Sequence, residues 1–385
     1  MKVGVPREVR TNERRVALVP ESVAKLTDAG MEVIVEEGAG LGAHFADAAY
    51  RNAGAAIVSS ASAVYEGADI LVKVQRPTFG GEDEPPETSM LRSGEVLIGL
   101  LQPLYHPAMA KGLAEMGVTS FSMDAVPRIA RAQSMDALSS MSSIAGYKAA
   151  IMAAEALGIY LPMMVTAAGT TPPAKGLVLG AGVAGLQAIA TSRRLGAVVA
   201  AFDVRPVVKE QVESLGATFI QEAIHTEDIE DEGGYAKQLN EEAQNLEQDL
   251  IHKHARTSDF IISTAAIPGQ SAPKLVTAAM VRDMRPGAVI IALAAETGGN
   301  CELTKPGETV IANGVTILGP LDVPSSVPVV SSQMYSRNML TLLQHLVRDG
   351  ELTLDWEDAI IKDCCITYGG EVIHGPTLGL LSGSG

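Results

Sequence analysis

The run Gly180-Ala-Gly182-Val-Ala-Gly185 constrains the fold of this chain more than any other stretch. It follows the apolar segment LVL and opens the helical pattern LQAIATSRRLGA, so strand, tight turn and helix must succeed one another. The first glycine permits the turn, the second lets the backbone approach a pyrophosphate, and the third lets the helix pack on the strand. Free N–H groups at the helix start attract phosphate oxygens. The next β-type segment, 198–202, ends at Asp203, 23 residues after Gly180. That is close to the spacing of about 20 residues at which a carboxylate meets the adenosine ribose of a dinucleotide. Such a carboxylate bonds both ribose hydroxyls and repels a 2′-phosphate, which favours NAD over NADP, while Arg205 two residues on works in the opposite sense.

Further candidate strands at 177–179, 260–263, 288–293 and 315–318 make this half an α/β unit. The stretch up to residue 126 also alternates short β-branched runs with helical ones, at 31–35, 70–74, 96–101 and 118–121. Between the halves, DALSSMSSIAGYKAAIMAAEALGIYL at 136–161 has no proline and carries apolar residues at helical spacing. It reads as one long helix bridging two domains, followed by a loop at TAAGTTPPAK. A helical pattern at 331–347 and a short tail close the chain. The expected fold is α/β: two Rossmann-like doubly wound domains with mainly parallel sheets, joined by a long bridging helix. The first domain spans 1–136 and is completed by 329–385, the nucleotide-binding domain spans 137–328, and a cleft separates them.

Acidic residues outnumber basic ones 45 to 29, and the formal charge of -16 repels nucleic acid and anionic surfaces. Cys301, Cys364 and Cys365 are too few for a disulfide framework and lack zinc-ligand spacing. The vicinal pair lies in IKDCCITYG, which reads as a buried strand. His252 and His254 have no third ligand nearby, so no metal site is expected. The N-terminal residues reach charges before any apolar run long enough for a signal peptide, so none is expected, and no uncharged apolar run reaches the roughly 18 residues of a membrane span.

Three segments, VPREVRTNERRVALVP, GLVLGAGVAGLQAIATSRRLGA and IISTAAIPG, resemble the superfamily shared by alanine dehydrogenase and the NAD(H)-binding component of proton-translocating NAD(P) transhydrogenase. The run from Pro127 to Ser139 is similar to the transhydrogenase loop whose Arg, Gln and Asp contact the nicotinamide ribose and its neighbours. The resemblance therefore implies that Arg128, Gln133 and Asp136 orient the nicotinamide end, with Ser139 beside them. Asp136 also suits an N-cap of the bridging helix, and Arg131 reads as a solvated surface charge. The nucleotide contacts implied are Gly180, Gly182, Val183, Gly185, Asp203, Val204 and Arg205. Thr264, Ala265 and Ala266, at a strand's C-terminal end, leave room for the nicotinamide ribose. Gly234 and Tyr235, after an acidic run, resemble a mobile loop whose tyrosine closes over nucleotide.

The two branches of the superfamily differ in chemistry. An amino-acid dehydrogenase needs a substrate carboxylate clamp and a general acid/base. Arg15 and Lys73 resemble the clamp, but where that branch carries its catalytic histidine this chain reads Leu100-Leu101-Gln102-Pro103. Glutamine does not shuttle protons near neutral pH. His106, four residues on, reads as a surface residue. Transfer between two nicotinamides needs only proximity and dry surroundings, so Arg15 and Lys73 are then structural ion-pair partners.

The resemblance thus implies a transhydrogenase subunit with NAD(H) bound here and NADP(H) on a partner chain. It also implies a homodimer at the cytoplasmic face of a bacterial plasma membrane, beside a membrane-embedded proton-channel subunit. An amino-acid dehydrogenase or a non-catalytic NAD-sensing subunit is the alternative. One departure stands out: Ala292 occupies a position where the family would have Asp, and Glu296 lies four residues on.

Overall fold

Short β-branched and apolar runs assemble into two large sheets in a computed structural model that describes residues 1–80, 86–220 and 241–383. Gly234 and Tyr235 lie outside the described residues. The chain divides into one unit made of Met1–Met141 with Ser325–Gly385, and a second made of Ser142–Pro324.

In the first unit, parallel strands run in the order Thr119–Ser122, Val96–Leu100, Ile70–Gln75, Lys2–Val5, Glu32–Glu36, Ala56–Val58. The earliest strand lies in the middle and the order reverses on either side of it, which is the doubly wound arrangement. Strands Cys365–Tyr368 and Glu371–Val372 extend one edge antiparallel. Thr367 Oγ1 donates to the Val118 carbonyl at 2.7 Å, tying the C-terminal stretch into this sheet.

The second unit repeats the plan. Strands Thr218–Phe219, Val198–Phe202, Lys175–Leu179, Phe260–Ser263, Val289–Ala292 and Val315–Leu318 are parallel, and Thr309–Ala312 is an antiparallel edge. Both sheet faces are covered, so neighbouring residues serve opposite cores. Val178 packs with Ile262 and Ile291 on one side, and Leu177 and Leu179 pack with Ile261 and Ile290 on the other.

Helix Ala137–Ala156 begins in the first unit and ends in the second, stopping five residues short of the expected end at 161. Its alanines Ala149, Ala150 and Ala153 are buried on the Val178 face, where small side chains let the helix lie close to the sheet. The later helix is Pro328–Leu346, with proline in its first turn.

Two local expectations are corrected. The stretch read as a loop forms an exposed hairpin, Met164–Thr166 with Gly169–Thr171, whose turn uses Gly169 at φ +121°. The IKDCC segment is not one strand: helix Ala359–Cys364 ends at the first cysteine and the strand starts at the second. Asp358 caps that helix by accepting the Ile360 N–H at 2.9 Å, so a side-chain bond overrides the β-branched composition.

Candidate functional site

The glycine loop joins strand Lys175–Leu179 to helix Val183–Arg194, and its three glycines are required for three different reasons. Gly180 sits at φ +92°, a conformation that side chains disfavour, and a Cβ there would lie 2.7 Å from Thr264 Oγ1. At Gly185 a Cβ would lie 1.9 Å from the Gly180 carbonyl oxygen. Gly182, just before the helix, has nothing within 4 Å of a built Cβ. The space left open over the second glycine, beside the free N–H groups of the helix start, suits a pyrophosphate.

Strand Val198–Phe202 brings Asp203 against this loop. Its Oδ2 accepts the Ala181 N–H at 2.7 Å. Arg205 also grips Asp203, with Nε to Oδ1 at 2.9 Å and Nη2 to Oδ2 at 2.8 Å. Val183 is exposed on the first turn of the helix, and Val204 packs partly against the core beneath. Thr264 Oγ1 donates to the Gly180 carbonyl at 3.1 Å, and Asn300 Nδ2 donates to the Ala265 carbonyl at 2.8 Å. The small residues Ala265 and Ala266 are thus held at the mouth of strand Phe260–Ser263 with little side chain above them.

Two residues that hold this loop are not apparent from its motif. Gly146 on the bridging helix would place a Cβ 2.0 Å from the Ala184 carbonyl oxygen, so the helix touches the first turn after the glycine loop. The buried Asn300 bonds the Ala265 and Pro273 carbonyls. A glycine inside an alanine-rich helix is the available signal for the first. The second carries none, because its partners are backbone atoms far along the chain.

In the first unit, Asp136 caps the bridging helix, accepting from the Ser139 N–H at 2.8 Å and from Ser139 Oγ at 2.6 Å. Arg128 and Gln133 are exposed on the stretch before it. Arg131, expected as a solvated charge, instead pairs with Asp358. Asp358 also meets His345 Nε2 at 2.6 Å. Partial burial opposes the charge on Asp358, yet Arg131, the Ile360 N–H and His345 outweigh it and hold the carboxyl down to about 2. Asn338 Nδ2 donates to the Ser134 carbonyl at 2.8 Å. The stretch carrying Arg128, Gln133 and Asp136 is therefore anchored by the C-terminal part of the chain.

The clamp-like residues are engaged by the protein's own carboxylates. Arg15 Nε donates to Glu13 Oε1 at 2.7 Å, and Gln75 Nε2 donates to Glu13 Oε2 at 2.8 Å. The fully buried Lys73 lies 2.5 Å from Glu87 Oε1 and 3.3 Å from Glu8 Oε2. Burial opposes the charge on Lys73, but Glu8 and Glu87 outweigh it and raise its pKa.

Gln102 adopts φ +53° at the end of strand Val96–Leu100, and its Oε1 accepts from Arg76 Nη1 at 2.8 Å. His106 is half-buried rather than a surface residue, and burial with Arg76 and Arg10 lowers its pKa. Ala292 is fully buried, and Glu296 is exposed and accepts the Asp322 N–H at 3.1 Å, so it does not take the place of a carboxylate there. His252 faces Asp283 at 2.8 Å, and burial pushes the Cys365 thiol up to about 12.

Models of the alanine dehydrogenase/PNT family match nearly the whole chain, the N-terminal domain over residues 4–145 and the C-terminal domain over residues 149–375. The chain is 46% identical over 379 residues to an NAD(P) transhydrogenase subunit alpha chain of Rhodospirillum rubrum, covering 97% of this chain and 98% of that one. A crystal structure of transhydrogenase from Sinorhizobium meliloti superposes with a TM-score of 0.85 at 44% identity, covering 97% of this chain and all (100%) of the other. Alanine dehydrogenase of Halomonas elongata is 30% identical over 374 residues, covering 94% of this chain and 91% of that one. This chain is a member of the alanine dehydrogenase/PNT family.

Proposed function

We propose that the chain is the NAD(H)-binding component of a proton-translocating NAD(P) transhydrogenase, passing hydride directly between NAD(H) held here and NADP(H) held on a partner chain. The observation that carries this reading is Gln102. It stands where a dehydrogenase would need its acid/base and is hydrogen-bonded by Arg76, while Arg15 and Lys73 are neutralised by Glu13, Glu8 and Glu87. A dinucleotide cradle in a chain that has glutamine at this position suits direct transfer, which asks for orientation and dry surroundings rather than acid/base chemistry. The likeness to chains named as transhydrogenase alpha subunits supports the same choice.

On this reading Gly180, Gly182, Val183 and Gly185 hold the pyrophosphate, and Asp203, Val204 and Arg205 hold the adenosine ribose. Thr264, Ala265 and Ala266 shape the space for the nicotinamide ribose. Arg128, Gln133, Asp136 and Ser139 orient the nicotinamide, and Tyr235 on its Gly234 hinge is the lid. Bound NAD(H) supplies the hydride at its C4 position.

A homodimer is part of the proposal. The hairpin after the bridging helix exposes Met163 and Val165, the latter 73% exposed, next to exposed Ile159 and Tyr160, an apolar surface that water disfavours. The NADP(H) domain and the membrane-embedded proton-channel subunit are proposed as separate chains, with this one peripheral on the cytoplasmic face of a bacterial plasma membrane.

Adding the purified chain to source membranes stripped of peripheral proteins, and following NADPH-dependent reduction of an NAD analogue, tests the proposal. Activity restored only by the combination is the expected result. Turnover of alanine without membranes would replace it with the dehydrogenase reading, and NADH binding without any hydride transfer would replace it with a sensing role.

A further inference from the structure

Asp203 alone leaves the choice between NAD(H) and NADP(H) electrostatically undecided. Arg205 clamps it through two parallel N–H···O bonds, and the Ala181 N–H takes a further lone pair. A carboxylate so engaged presents little net charge, and a guanidinium beside it is a ready partner for a phosphate dianion. The sign of the potential at this sheet edge therefore falls to the next charged group.

Among the described residues that group is Glu247. Helix Glu241–Ala255 buries Leu250 and Ile251 in the same cluster as Leu179 and Phe202, with Val204 packed against it. Residues three and four apart share a helix face, so Glu247, one turn earlier, lies on the same face that carries Leu250 and Ile251 into this cluster. Its side chain is buried, at 8% exposure, and within electrostatic reach of Asp203. Among the described residues no cation pairs with it.

We propose that Glu247 decides the preference for NAD(H) over NADP(H): its carboxylate, next to the neutralised Asp203–Arg205 pair, restores net negative charge there and repels a 2′-phosphate. The inference rests on the NAD(H) reading given above. A carboxylate facing a phosphate dianion across partly buried space is worth at least about tenfold in relative affinity.

The test titrates NADH and NADPH against the wild-type chain, Glu247→Gln and Glu247→Asp at about pH 8, where the wild-type carboxylate is ionised, reading reduced-nucleotide fluorescence. Glu247→Gln keeps the shape and removes the charge, and Glu247→Asp keeps the charge. The expected result is a wild-type preference for NADH, a fall of about tenfold in the NADPH-to-NADH ratio of Kd values in Glu247→Gln, and a ratio near wild type in Glu247→Asp. An unchanged ratio in Glu247→Gln, or equal relaxation in both variants, would overturn the inference while leaving the NAD(H) site intact. A wild-type chain that binds neither nucleotide would instead overturn the NAD(H) reading itself.

Discussion

Gly146 and Ala184 meet backbone to backbone: a Cβ on Gly146 would stand 2.0 Å from the Ala184 carbonyl oxygen. Because the obstacle is backbone at the first turn of helix Val183–Arg194, neither side can yield by a rotamer change. Gly146→Ala should cost about 1–3 kcal/mol by overpacking. It should also weaken NADH binding, since the glycine loop must shift with the helix. Denaturant unfolding with a parallel NADH titration checks both; a loss of stability with unchanged affinity would separate the contact from the site.

Gln133 offers an amide on the stretch anchored by Arg131–Asp358 and by Asn338. Shortening it by one methylene in Gln133→Asn keeps the chemistry and displaces it by more than an ångström. Hydride transfer should fall about tenfold or more, with NADH affinity changed by less than about threefold. Single-turnover kinetics with reconstituted membranes gives the comparison, and equal losses in binding and transfer would refute an orienting role.

Arg15 is buried against Glu13, and with burial opposing it the pairing still holds the Glu13 carboxyl below its ordinary range. Arg15→Met leaves that carboxylate uncompensated and should cost about 3–5 kcal/mol. Transfer per folded molecule should remain within a few-fold of wild type. Thermal unfolding and active-site titration separate the two effects, and a large loss of transfer in fully folded protein would return Arg15 to substrate handling.

Burial and the nearby Asp203 push the Glu247 carboxyl up to about 7, from an ordinary value of 4.5. The folded state therefore holds a proton that the unfolded chain has released, and folding loses stability as pH rises from about 4.5 to about 7. Above the folded value the cost is complete, at most about 3 kcal/mol. Glu247→Gln should unfold at higher denaturant than wild type at pH near 8, with the gap closing toward pH near 5. A gap independent of pH would place the effect in packing instead.

Much of the glycine loop is legible locally. Gly180 is demanded by its φ and Gly185 by contact with the Gly180 carbonyl a few positions away, so strand, motif and helix carry their own signature. The same holds for Asp136, whose cap reaches only to Ser139. The pairing of Arg131 is not legible, because its partner Asp358 lies far along the chain and no spacing rule connects them. Helix Ala359–Cys364 is hidden in its sequence for another reason: one capping carboxylate outweighs a run of β-branched side chains.

The α/β class, the bridging helix and the dinucleotide loop follow from the amino-acid order alone, since each depends on residue type and short-range spacing. The charge state of the site does not, and it is set by tertiary packing. Asp203 is neutralised by Arg205, Glu247 is buried beside it, and Arg15 and Lys73 are held by Glu13, Glu8 and Glu87. Charges interact through distance and burial, and those are fixed by which strands and helices pack together rather than by order along the chain.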